Sequence, residues 1–136
     1  MEPHREHAAS EVLHQRGWRK AFTVAEMIDK WARLVAEVED GYHDMVEEYT
    51  NDLYSRNWLH EAWPLLTEDV ITTWTPQIRQ LDHRFKTATV FDGGQALSQF
   101  HRISDFDPDT MWWWRRHPHR LVGELGDSLR AAGARG

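Results

Sequence analysis

The chain has 136 residues, no cysteine, 40% apolar and 28% charged residues, and a net charge of −6. That length fits one domain around one core; the composition excludes intrinsic disorder, and the missing cysteines exclude disulfides and thiolate metal sites. The opening Met1-Glu-Pro-His-Arg-Glu-His is too polar for a signal peptide and no apolar run approaches transmembrane length, so a soluble cytoplasmic protein without a cofactor is expected.

Charge is unevenly spread. Residues 24–56 carry nine acidic side chains against three basic ones, a net −6, while residues 115–136 carry five basic against two acidic, a net +3. A dense negative field repels a nucleic-acid backbone and steers basic partners.

Residues 1–22 have weak periodicity and read as a loosely held arm: Ser10 to Arg16 offers a turn or two of helix before Gly17 stops it, and His4, His7 and His14 look solvated. Thr23 and Glu26 then stand in the relation of a capping box. Val24, Ile28, Trp31, Val35, Val38, Tyr42, Met45 and Tyr49 follow in steps of four and three, the spacing of one helix face. A single helix from Val24 to Leu53 would be about 45 Å long, too long for a compact domain of this size, so Asp40-Gly41 is expected to divide it into two helices.

A third short helix is expected over Ser55 to Trp63, ended by Pro64. Thr67 with Glu68 and Asp69 opens the next, in which Val70, Ile71, Trp74, Ile78, Leu81 and Phe85 form a stripe interrupted at Thr75-Pro76. Beyond Lys86, Thr87-Ala-Thr-Val-Phe is β-prone and Asp92-Gly93-Gly94 is a turn, which allows a small β-hairpin. A loop over Asp105 to Asp109, the triplet Trp112, Trp113 and Trp114, and a last short helix near Gly123 to Ala132 complete the chain. The fold class is thus mainly α, a compact bundle of four to five helices in a single domain over residues 23–132, with a short tail at 133–136.

Several chemistries fail on spacing. His60-Glu61 begins like a zincin motif, but Pro64 occupies the position of the second histidine. Asp105, Asp107 and Asp109 alternate like calcium ligands, yet Thr110 and Arg116 stand where glycine and glutamate are required. No nucleophile elbow or phosphate-cradling loop is present, so an enzyme is not the leading expectation. His43, His60 and His83 fall on different predicted elements, and their convergence is the alternative: a metal-binding bundle or a small hydrolase.

The stretch Tyr49 to Trp58 is dense in hydrogen-bonding groups and reads as a capped helix joint, with Asp52 and Arg56 spaced for a local ion pair. Three consecutive tryptophans cannot all face one core, which leaves Trp112, Trp113 and Trp114 either as a seal on the bundle or as interface anchors. The acidic set Glu37, Asp40, Asp44, Glu47 and Glu48 is the candidate partner surface.

The run Glu48-Tyr-Thr-Asn-Asp-Leu-Tyr-Ser-Arg-Asn-Trp-Leu, with Leu81-Asp-His-Arg-Phe-Lys-Thr-Ala-Thr and Trp112-Trp-Trp-Arg-Arg-His-Pro, resembles small acidic bacterial proteins of uncharacterised or immunity-protein type over about residues 24–130. The resemblance implies stoichiometric inhibition of a cognate toxin without catalysis, and it assigns no functional residue. The leading expectation is a non-enzymatic module that binds a protein with a basic surface and contacts neither nucleic acid nor membrane. A structural or regulatory subunit of a bacterial complex is a further alternative.

Overall fold

The computed structural model describes residues 3–136, with side chains from residue 8 onward. The helices are α1 (Pro3–Gln15), α2 (Val24–Asp40), α3 (Val46–Ala62), α4 (Glu68–Thr87) and α5 (Gly123–Ala131), and two short strands, β1 (Thr89–Phe91) and β2 (Arg116–Pro118), lie between α4 and α5. The architecture is mainly α with one small antiparallel sheet. Among the described residues no helix is long and apolar enough to cross a membrane.

Part of the segment read as a loose arm docks on the core. It forms α1, which packs on α3 and buries Ala9 and Leu13 in the core; two apolar anchors suffice here although they make no visible stripe. His14, read as solvated, sits on the last turn of α1 with Nδ1 2.8 Å from the carbonyl of Trp18, while His4 and His7 lie outside the described side chains.

Thr23 builds the expected capping box, accepting from the Glu26 amide at 3.1 Å while the Glu26 carboxylate accepts from the Thr23 amide at 3.0 Å. α2 ends at Gly41, whose φ of 107° is costly for any residue with a side chain. Val24, Ile28, Trp31, Val35 and Val38 are buried as the stripe predicts, and Tyr42 and Tyr49 with them. Met45 is the exception at 42% exposure, because the chain leaves the helix between Gly41 and Met45 and the three–four spacing is not carried across.

α3 runs unbroken to Ala62, so the joint expected between Leu53 and Ser55 does not exist. Its polar side chains are absorbed within the helix: the Thr50 hydroxyl donates to the Glu47 carbonyl and the Ser55 hydroxyl to the Asp52 carbonyl. α3 is the central helix, touched by α1, α2 and α5. α4 is continuous through Pro76 and buries Val70, Ile78, Leu81 and Phe85.

The strand after residue 86 finds its antiparallel partner far along the chain, pairing Thr89 with Pro118, Val90 with His117 and Phe91 with Arg116. The intervening residues 92–115 fold as an irregular lobe that brings the tryptophan triplet, a short 3₁₀ turn, back onto α3.

Candidate functional site

Glu37 and Asp40 lie on the last turns of α2, Asp44 lies in the connection, and Glu47 and Glu48 lie on the first turn of α3; all five are exposed. None of them has an ion pair among the described residues, whereas the neighbouring Glu39 is held by Arg84 at 2.6 Å. Partial burial, then the Asp52 carboxylate and, more weakly, that of Asp44, hold Glu37 above the usual carboxylate value against the pull of Arg33. Glu47 and Glu48 favour the positive end of α3, but Asp40 stands at the negative end of α2, whose own last turn carries no basic residue.

This corner is tied to α5 by backbone hydrogen bonds. The amides of Glu124 and Leu125, at the start of α5, donate to the carbonyls of His43 and Asp44 at 3.4 and 3.0 Å. Gly123 makes that approach possible, since a Cβ there would stand 2.6 Å from the His43 carbonyl oxygen. Exposed Met45 lies between Asp44 and Glu47 in the chain.

The tryptophan triplet is not the partner platform that the sequence allowed. Trp113 and Trp114 are fully buried and both indole N–H groups donate to one acceptor, Asn57 Oδ1, at 2.6 and 2.8 Å. Trp112 is half-buried, with the Lys86 ammonium 4.4 Å from its ring centre. The two long indole side chains leave adjacent backbone positions in different directions but converge on one buried amide of α3.

Arg56 also departs from its expected partner. It pairs with Asp82 of α4 through two hydrogen bonds of 3.0 and 2.9 Å, and Asp82 accepts a third from the Trp31 indole at 3.1 Å. The Arg56 guanidinium lies 4.6 Å over the Trp113 ring. Asp52, left without Arg56, accepts the Tyr42 hydroxyl at 2.7 Å.

His43, His60 and His83 are not brought together. His43 is exposed at the α2–α3 corner, His83 is exposed on α4, and His60 is half-buried edge-on to Trp113. Burial, and then the nearby Arg56 cation, hold His60 below the usual imidazole range. No group of three His, Asp or Glu side chains placed to hold a metal ion occurs among the described residues.

A histidine that the spacing did not single out is more constrained. His117 Nδ1 lies 3.0 Å from the Asp92 carboxylate and Nε2 lies 3.0 Å from the Arg135 carbonyl. Both partners are acceptors only, so the arrangement is complete when the ring carries both protons. The Asp92 hydrogen bond, outweighing burial, raises the His117 pKa above 6.5. Burial pulls Asp92 upward, but His117 and the amides of Ala96 and Gly94 outweigh it and hold the carboxylate low.

The pH dependence has two edges. The stabilisation from His117 is complete below its unfolded value near 6.5 and fades as pH rises through the higher folded value; that from Asp92 fades only as pH falls below about 4. Urea unfolding followed from pH 6 to 9 is therefore expected to show stability falling through neutral and mildly alkaline pH. The fall is expected to flatten in His117→Gln; an unchanged slope in that variant would remove His117 as its source.

A cleft of about 470 Å³, which the sequence did not disclose, lies between residues 16–22, α2 and α3. It is lined along α3 by Asn51, Asp52, Tyr54, Ser55 and Glu61, the first four from the stretch read as a capped joint, and on its other side by Arg16, Gly17, Trp18, Arg19, Phe22, Met27 and Lys30. Comparison of the chain with protein-family models, curated proteins and solved structures gives no match.

Proposed function

We propose that this protein is a non-enzymatic binding module whose acidic α2–α3 corner docks on the basic surface of a partner protein, as an immunity-type or antitoxin-like inhibitor would. The observation that carries the reading is the set of five exposed carboxylates, without ion pairs among the described residues, on and beside a connection that carries exposed Met45 and is hydrogen-bonded to α5. A patch of one charge beside an apolar side chain suits a partner that supplies the opposite charge and covers the methionine. Asp40 is kept at the unfavourable end of a helix dipole, a small stability cost that a binding role for the charge would explain.

The test uses the chain as bait at low and high salt, followed by association kinetics with the recovered partner. Reversal of Asp44, Glu47 and Glu48 to lysine is expected to slow association by about 10- to 100-fold and to flatten its salt dependence. Because Glu47 and Glu48 also support the start of α3, the neutral triple variant with asparagine and glutamine is the milder companion, expected to fall between. A partner that binds the reversed variant as fast as the native protein would show that the corner is not the interface.

A further inference from the structure

The cleft beside α3 has the size of a small-molecule site, for which about 300–1,000 Å³ is usual, and its two kinds of charge are not equally satisfied. Each carboxylate lining it already has a donor: Asp52 accepts the Tyr42 hydroxyl at 2.7 Å, and Glu61 accepts the Trp18 indole N–H at 3.4 Å. The cations Arg16, Arg19 and Lys30 have no hydrogen-bonded acceptor among the described residues. Arg19 and Lys30 crowd the buried ring of Phe22, their charged groups 5.0 and 5.2 Å from its centre, and Lys20 adds a third cation at 5.0 Å, which Glu26 neutralises at 3.2 Å. Lys30 is partly offset by the Asp52 and Glu26 carboxylates, but Arg16 and Arg19 line the same cleft without an acceptor, and the three cations together are the complement of an anion.

The remaining lining selects for shape. Trp18 stands edge-on to Phe22 at 6.3 Å and to Tyr54 at 6.2 Å, so three aromatic rings border the space. From Asn51 to Glu61 the lining along α3 spans about 15 Å, room for a fused-ring compound with one charged substituent. We propose that the cleft binds a planar aromatic monoanion of carboxylate type, its ring against Trp18 and Tyr54 and its negative group between Arg19 and Lys30. The cleft adjoins the acidic corner through Asp52, whose carboxylate acts on Glu37, but its ligand does not depend on that reading.

Calorimetric titration with 2-naphthoate, 2-naphthylmethylamine and 2-naphthalenemethanol, with amide chemical-shift mapping, tests it. The expected result is saturable one-to-one binding of 2-naphthoate that shifts the amides of residues 16–22 and 51–55. The amine and the alcohol are expected to bind at least tenfold more weakly. Arg19→Gln with Lys30→Gln is expected to raise the Kd for 2-naphthoate at least tenfold, while Arg102→Gln, which alters an exposed cation paired with Asp105, leaves it unchanged. Binding of the amine as tight as that of the acid, no change in the double variant, or no saturation at millimolar concentration would each overturn the proposal.

Discussion

Asp82→Ala is expected to be among the most damaging single substitutions in this protein, costing about 3–5 kcal/mol. The carboxylate serves two partners at once, the Arg56 guanidinium and the Trp31 indole, and joins α2, α3 and α4 at a point where the Arg56 and Asp82 side chains are only 13% and 18% exposed. Truncation strands a cation among aromatic rings and an indole donor without an acceptor, and both desolvation penalties then fall on the folded state. At this chain length the melting temperature is expected to drop by roughly 10–20 °C. Restoring an apolar neighbour tests the cause: in Asp82→Ala with Arg56→Met the stranded charge is gone and the methionine still covers Trp113, so much of the loss is expected to return. A single variant that melts within a degree or two of the native protein would show that the network contributes little.

Asn57→Leu is expected to cost about 2–5 kcal/mol, because one side-chain oxygen satisfies two buried indoles and each orphaned donor costs about 1–3 kcal/mol. The mechanism is distinct from that of Asp82, since no charge is involved and the leucine fills most of the same space. Urea unfolding is expected to move to a lower midpoint with little change in slope. In the folded variant two indole N–H protons are expected to lose their protection from exchange. Retained protection of both would mean that other acceptors hold the rings.

The helices were legible to the degree that each presents one face to one neighbour. α2 does so, and its start at Thr23, its stripe and its end at Gly41 were all readable. α3 does not: it buries Tyr49, Leu53, Ser55, Asn57, Trp58 and Leu59 on several sides, so its apolar pattern has no single stripe and its polar residues mimic a joint. The partners of Arg56 and of Trp113 and Trp114 lie 26, 56 and 57 residues away, beyond any local spacing rule, which is why Asp52 looked like the ion-pair partner and the triplet stayed open between a seal on the bundle and an interface. The acidic corner was visible because charge density survives projection onto one dimension. The cleft was not, because Arg19, Lys30 and Tyr54 come from three separate segments and converge only after α1 has docked.

The sheet has a temporal consequence. β1 and β2 are separated by residues 92–115, so their first rung cannot form until a long loop has been closed, whereas α2 and α3 meet through a short connection and can zip together locally. Contact order therefore favours the α2–α3 hairpin first, the ladder between Phe91 and Arg116 next, and last the docking of the tryptophan turn on Asn57, which closes a loop of 56 residues. Synthesis favours the same beginning, since α2 and α3 leave the ribosome well before the two indoles that share the Asn57 oxygen.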